Sequence, residues 1–278
     1  MTETRPPKPH RSPAEVIQMA RRHLARTALL LAVVAILVLG FTAFGLREAM
    51  FGLDYAVKTL ALRWAPGLAW GAVILGVIAF LAAVLVPPRR DRIASLLAVA
   101  IGAGVMVVTA QIRTQAATHP PIHDVATDWA EPLMFGPKIT AARAAAAADN
   151  RVEAAPRVEP QPQDPNLTGT PIAEVNARTC PGAVPVVLTG NPLAAYDKAQ
   201  VAVTREGYEI VTDNPAGGRL EATATTKYLK QVSDVIVRVQ PEGAGSRIDI
   251  RSISRMGVAD LGENCRRVTR LRAAMARE

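Results

Sequence analysis

Three runs in the first part of the chain carry no charged side chain: Thr27 to Leu46, Ala65 to Val86 and Ile93 to Ile112. At the 1.5 Å rise of an α-helix, a run of about 20 residues covers the roughly 30 Å hydrocarbon core of a bilayer. The chain is therefore expected to be an integral membrane protein with three spans, followed from His119 to Glu278 by a soluble domain. The first run is longer than a signal-peptide apolar core and meets no small-x-small cleavage site before Arg47, so it reads as a retained span. Ahead of it, Ser12, Pro13 and Glu15 have the pattern of an N-cap, a first-turn proline and a capping-box partner. They predict a short helix that brings Arg21 and Arg22 to the headgroups. The second run has Trp64 and Trp70 as interfacial anchors near its outer end. Gly67-x-x-x-Gly71 reads either as a small-residue packing face or as the ordinary tolerance of glycine in membrane helices. No Asp, Glu, His, Lys or Arg lies within a run. Transporters, proton relays and channels usually bury such a group, which disfavours transport.

Charge sets the expected orientation. From Met1 to Thr118 there are 13 basic and 5 acidic side chains, and the remainder holds 19 of each, so the whole excess, 13 − 5 = 8, lies in the membrane part. A nucleic-acid-binding chain gathers basic charge on its folded domain. Here that domain is neutral, and no nucleic-acid partner is expected. The excess sits instead where the positive-inside rule operates: Arg5, Lys8, Arg11, Arg21, Arg22 and Arg26 precede the first span, and Arg89, Arg90 and Arg92 separate the second from the third. Residues 1–26 thus read as a cytoplasmic basic leader and 27–112 as the transmembrane region, with the lipid bilayer as partner. The first connection, with Arg47, Glu48, Asp54, Lys58 and Arg63, falls outside, and an odd number of spans carries the C-terminal domain outside as well.

The two cysteines, Cys180 and Cys265, both lie in that outer domain. An even count in an oxidising compartment reads as a disulfide, and closing so long a loop would restrict the unfolded chain by roughly 4 kcal/mol. Two unpaired buried thiols are the alternative. Cys and His spacing of the metal-binding type is missing, so no metal is expected. No phosphate loop or dinucleotide fingerprint occurs, so no cofactor is expected either. All four histidines lie at or before His123, and a Ser-His-Asp arrangement would have to borrow His119 or His123.

Residues 113–179 read as an extracytoplasmic segment with an Ala/Pro-rich linker. His119 to Phe135 mixes prolines with isolated hydrophobics as an extended segment would, Ile139 to Asn150 is alanine-rich and helix-compatible, and Val152 to Thr170 holds Pro156, Pro160, Pro162 and Pro165 as an exposed loop. Residues 180–278 read as the compact domain. Asn191-Pro192 is an N-cap and first-turn pair, and Leu193, Tyr196, Ala199 and Val203 recur at helical spacing until Gly207. Four strand-like runs follow: Tyr208 to Thr212, Arg219 to Thr225, Val232 to Val239 and Arg247 to Ser254. Asn214 to Gly218 and Pro241 to Gly245 separate them as hairpin turns, and a helix from about Val258 to Arg277 closes the chain. The expected fold is a three-helix transmembrane region plus an α+β domain, an antiparallel four-stranded meander flanked by two helices.

Three blocks carry a family resemblance: Arg219-Leu220-Glu221-Ala222-Thr223, Ser233-Asp234-Val235-Ile236-Val237-Arg238, and Arg251-Ser252-Ile253-Ser254-Arg255-Met256-Gly257-Val258-Ala259-Asp260-Leu261-Gly262-Glu263-Asn264. Together with the upstream His123 to Asp128, they resemble the bacterial and plastid family known as domain of unknown function 1499. Taken with the three expected spans, the resemblance points to a multi-pass protein of a bacterial inner membrane, and it implies no activity. Lys227-Tyr228-Leu229-Lys230 departs from an aromatic-rich stretch usual in that family. Cys180 and Cys265 also replace the usual residues, a paired departure of the kind a lineage-specific disulfide leaves.

Strand alternation puts Arg247, Asp249 and Arg251 on one face and Ile248 and Ile250 on the other, with Arg238, Asp234 and Glu221 on neighbouring strands beside the charged set. Arg251, Ser252, Ser254, Arg255, Gly257, Asp260 and Asn264 then form a candidate anion or ligand site at a helix N-terminus, suited to an anionic lipid or envelope component. The stronger reading of the same residues is a structural ion-pair ladder, with Asp260 complementing the helix dipole. The chain is expected to be a binding or structural module of the cell envelope. The alternative is an envelope hydrolase using His123 and the Arg251 to Asp260 cluster.

Overall fold

The computed structural model describes residues 12–48, 50–160 and 165–277. Arg5, Lys8, Arg11 and Pro162, to which the sequence assigns roles, lie outside them. The chain divides into two compact units, one running up to residue 42 and resuming over 57–113, the other comprising 43–56 and the chain from 114 onward.

The first unit is built from three long helices. Helix α1 (Pro13–Arg47) opens with the capping box: Ser12 N–H donates to Glu15 Oε2 at 2.9 Å and Glu15 N–H to Ser12 Oγ at 3.3 Å. The expected short leader helix is simply the start of this 35-residue element. A π-helical stretch, Tyr55–Trp64, runs directly into α2 (Ala65–Leu85), so Lys58 and Arg63 are helical and not in a connecting loop. From Asp54 to Ala65 no Gly or Pro interrupts the chain, and the change of helical register falls next to Pro66, whose missing N–H breaks the hydrogen-bond ladder. Helix α3 (Arg92–Thr118) completes the unit, and all three helices are long and apolar enough to cross a membrane.

Side-chain size is inverted relative to a water-soluble bundle. Buried positions hold small residues: Ala28, Ala32 and Ala35 on α1, Ala65, Ala69, Ala72, Gly76, Ala79 and Ala83 on α2, and Ser95, Ala98 and Gly102 on α3. The large apolar side chains point outward, Leu37 at 62% exposure and Ile93 at 76%. Close packing of small faces with Leu and Ile turned out is what apolar surroundings favour, since no hydrophobic gain is available from burying the large residues. The packing glycines are Gly76 and Gly102: a Cβ on Gly76 would stand 2.9 Å from Val99 Cγ2 and 3.1 Å from the Ser95 carbonyl oxygen, and one on Gly102 would stand 3.0 Å from the Ala69 carbonyl oxygen. Of the Gly67-x-x-x-Gly71 pair, Gly71 packs on α1, where a Cβ would stand 3.2 Å from Leu31 Cδ1, and Gly67 has nothing within 4 Å of such an atom. At one end of the bundle the buried Arg21 donates to the Val86 carbonyl at 2.8 Å and lies 3.8 Å from Asp91, bringing the α1 start and the Arg89 to Arg92 turn together.

The second unit holds a six-stranded antiparallel sheet, not a four-stranded one. Strands β3 (Glu209–Asn214), β4 (Arg219–Thr225), β5 (Val232–Glu242) and β6 (Gly245–Ser254) form the expected meander. Two short strands, β1 (Asp124–Ala126) and β2 (Val186–Thr189), share the free edge of β6: β1 pairs with Arg251 to Ile253 and β2 with Gly245 to Ile248. Strands this short hold too few positions for alternation to show in a sequence.

On one face of the sheet, α5 (Ile172–Thr179), α6 (Pro192–Arg205) and α7 (Glu263–Met275) cover Val235, Val237, Ile248, Ile250, Leu220 and Ala222. Helix α6 is capped as its sequence predicts, with Ala194 N–H donating to Asn191 Oδ1 at 2.8 Å. Ile122, Val125, Val158, Ile172 and Val175 belong to the same core, so the segment ahead of Cys180 is part of the packed domain. Within its proline-rich loop, Val158 N–H donates to the Thr170 carbonyl and Ile172 N–H to the Pro156 carbonyl, both at 2.9 Å. A disulfide joins Cys180, at the end of α5, to Cys265 on α7, with the Cα atoms 5.8 Å apart. Helix α7 begins at Glu263 and not near Val258, because Gly257, Leu261 and Gly262 all take positive φ, which a right-handed helix excludes.

Candidate functional site

Alternation along β6 divides the sequence-identified residues between two faces of the sheet. The odd-numbered positions carry the charges, covered by residues 127–155 with helix α4 (Pro137–Ala145). Arg251 Nε and Nη2 donate to Asp124 Oδ1 and Oδ2 at 3.0 and 2.6 Å, and its remaining donors reach the Leu133 and Glu153 carbonyl oxygens at 2.7 Å each. Its guanidinium also lies 5.1 Å from the centre of the Trp129 ring, and neither Arg251 nor Asp124 reaches solvent. Asp234, equally buried, accepts from Arg255 Nη2 at 2.7 Å, Arg143 Nη1 at 2.6 Å and Thr223 Oγ1 at 3.2 Å. Glu221 accepts from Arg219 Nε at 2.9 Å, Gly136 N–H at 2.7 Å and Thr212 Oγ1 at 3.0 Å. Asp249 accepts from Arg238 and Arg247, and Arg247 also reaches Asp128 at 2.8 Å. Its bond to Asp249 holds the Arg247 pKa above its ordinary value. Every guanidinium on this face has a carboxylate of the protein beside it.

The even-numbered positions point toward α7. Ser252 Oγ donates to Asn264 Oδ1 at 2.7 Å, and Arg267 Nη1 donates to the same oxygen at 2.6 Å. Asn264 Nδ2 donates to the His123 carbonyl at 2.8 Å and to Ser254 Oγ at 2.9 Å, while Ser233 and Ser254 share a hydroxyl contact at 3.3 Å. Asn264 thus fastens α7 to β1 and β6. Asp260 caps the helix: its Oδ1 accepts from Gly262 N–H and its Oδ2 from Asn264 N–H, each at 2.8 Å. Desolvation raises the Asp260 pKa against the lowering effect of these two amides.

The turn between β6 and α7 receives two other parts of the chain. Gly257 has φ +86°, and a Cβ there would stand 3.2 Å from Leu53, which follows α1. Gly262 has φ +79°, and a Cβ there would overlap the ring of His119, which follows α3. Glycine is therefore required at both positions, for backbone and for space. Beside this turn lies a cavity of about 270 Å³ walled by Leu53, Tyr228, Leu229, Val232, Met256 and Leu261, with Ser233, Ser254 and Asp260 among its polar lining.

The sequence-identified residues are thus distributed over three places. Arg251, Arg255, Glu221, Asp234 and Arg238 share the covered charged face, Ser252 and Asn264 bind α7 to the sheet, and Ser254, Asp260 and Gly257 border or support the cavity. Asp124, Asp128 and Arg143 were not included in the candidate site; the first two stand in the noted His123 to Asp128 block, and Arg143 carries only the signal of a lone charge in an alanine-rich helix. Among the described residues, no hydrogen bond joins the His123 ring to Ser252, Ser254 or Asp260, and no cluster of His, Cys, Asp and Glu is placed to hold a metal ion. The chain matches none of the curated proteins. The family model described as "Protein of unknown function (DUF1499)" matches residues 124–275, which include every strand of the sheet and the whole charged face. That match takes in more than half of the chain, and the chain belongs to the DUF1499 family.

Proposed function

We propose that the chain is a membrane-anchored binding module of a bacterial envelope. Its three helices sit in the inner membrane, its N-terminus is cytoplasmic, and its C-terminal domain is extracytoplasmic. In this reading the arginine ladder is structural and the cavity beside the β6–α7 turn takes the ligand. The observation that carries it is the seating of Leu53 and His119 on Gly257 and Gly262. The chain segments that follow α1 and α3 both dock on the turn that walls the cavity and so belong to the same folded unit as the sheet. Arg21 supports the orientation: its contacts with Val86 and Asp91 gather the basic residues of both expected cytoplasmic segments at one end of the bundle.

Fusion of a reporter that is active only outside the cytoplasm tests the reading. A fusion after Glu278 is expected to be active and one at Arg90 silent. The reverse pattern would place the domain and its cavity in the cytoplasm and end the proposal.

A further inference from the structure

We infer that the cavity beside the β6–α7 turn takes one acyl chain of an anionic membrane lipid, with the headgroup at Lys227 and Lys230. The inference rests on the membrane-anchored reading above and names the ligand class of that site. Its first support is the state of the polar lining. Asp260 is occupied by two backbone amides, Glu263 by Arg266 at 3.0 Å, Ser254 by Asn264 and Ser233, and Thr226 Oγ1 by Gln231 N–H at 2.9 Å. What the walls still offer is the apolar surface of Leu53, Tyr228, Leu229, Val232, Met256 and Leu261.

Size and position narrow the occupant. At about 270 Å³ the cavity falls just below the range of roughly 300–1,000 Å³ typical of sites for whole drug-sized ligands, which leaves room for a segment of one acyl chain and not for a whole lipid. Leu53 follows seven residues after Leu46, the end of the first apolar run, so the wall it supplies is tethered to that run by a chain of at most about 25 Å. Tyr228 is 75% exposed and Met256 37% exposed at this place, so apolar surface stands open beside the cavity. A chain moving from bilayer to cavity changes one apolar medium for another, so occupancy is gained at little desolvation cost and headgroup charge decides which lipid is held.

The mouth supplies that charge. Lys227 lies 5.5 Å from the centre of the Tyr228 ring, and neither Lys227 nor Lys230 has a carboxylate partner among the described residues. Their loop is held in shape: Thr226 N–H donates to the Gln231 carbonyl, Lys230 N–H donates to the Thr226 carbonyl, and Lys230 sits at φ +53°. Lys227 lines the cavity and Lys230 stands between two further lining residues of the same loop, Leu229 and Gln231, and two ammonium groups so placed match a phosphate attached to an acyl chain.

The test uses the full chain in phosphatidylcholine nanodiscs doped with phosphatidylglycerol that carries a diazirine on its acyl chain. After illumination, label is expected on peptides containing Leu229, Val232 and Met256. Leu229→Trp, which fills the cavity, is expected to remove that label while the label on α1 to α3 persists. Lys227→Glu combined with Lys230→Glu, both exposed and without structural bonds from their side chains, is expected to erase the preference for phosphatidylglycerol over a diazirine phosphatidylcholine. Excess inorganic phosphate is expected not to displace the label; displacement would mean that the site holds a free anion and would overturn the lipid assignment. Unlabelled cavity peptides in the wild type, label unchanged by Leu229→Trp, or equal labelling by both lipids would also overturn it. The reporter fusions separate the two levels: an active fusion after Glu278 with unlabelled cavity peptides defeats this inference alone, whereas a silent one defeats the membrane-topology reading beneath it.

Discussion

Arg251 and Asp124 meet in a two-point ion pair across the β1–β6 edge, and neither side chain touches solvent. Two charges taken out of water stabilise the fold only if each stays fully matched, so removing one partner costs far more than the pair contributes. Arg251→Ala is expected to cost about 3–5 kcal/mol by leaving Asp124 buried and uncompensated. Arg255→Ala is expected to cost less, since Asp234 keeps Arg143 at 2.6 Å. Arg251→Met combined with Asp124→Leu should recover part of the loss. Thermal melts of the detergent-solubilised variants measure this, and an equal drop for Arg251→Ala and Arg255→Ala would contradict the ladder described above.

The raised pKa of Asp260 makes a statement about pH. Its protonated form is relatively favoured in the folded state, so its contribution to stability is fully present below the ordinary carboxylate pKa and is lost as pH rises through the raised value. Asp260→Asn, which retains a capping oxygen, is expected to flatten the pH dependence of the melting temperature over that window. A profile identical to wild type would show that Asp260 does not titrate there.

The Cys180–Cys265 bond closes a sequence separation of 85 and pins the end of α5 to α7. Loss of such a bond, by reduction or by Cys265→Ala, is expected to lower stability by about 2–5 kcal/mol. Alkylation of the unreduced, denatured protein should label neither thiol, and labelling of both would contradict the bond.

Glycines of the three-helix unit separate by their surroundings. Gly76→Leu or Gly102→Leu drives a side chain into backbone oxygen of the facing helix and is expected to disrupt the bundle. Gly67→Leu meets open space and is expected to leave it intact. Retention of compact migration on mild detergent electrophoresis distinguishes them, and sensitivity at Gly67 alone would point to a contact outside the chain.

The features legible in the sequence are those with a local period. Apolar runs, the Asn191 cap on α6 and the alternation of Arg247, Asp249 and Arg251 each repeat within a few residues. β1 and β2 contain no full period, and their partner β6 lies far along the chain, so nothing local marks them as strands. The same alternation that groups the arginines also sends Ser252 and Ser254 to the opposite face. Reading Arg251 to Asn264 as one cluster merges two environments that the sheet keeps apart. Leu53 shows no signal at all, because its role arises from Gly257, more than half the chain away, where positive φ and close approach coincide.

β6 is the last strand made, yet β1 and β2, which precede it by much of the domain, find their partner only there. During synthesis the anchor is complete while both early strands still lack the edge they need. Strands β1 and β2 must therefore wait, with Asp124 still without Arg251, until residues 245–254 have been made. The sheet thus closes from its end backward, and a chain truncated before β6 leaves β1 and β2 without the edge they pair with, exposed strands of the kind that aggregate or are cleaved.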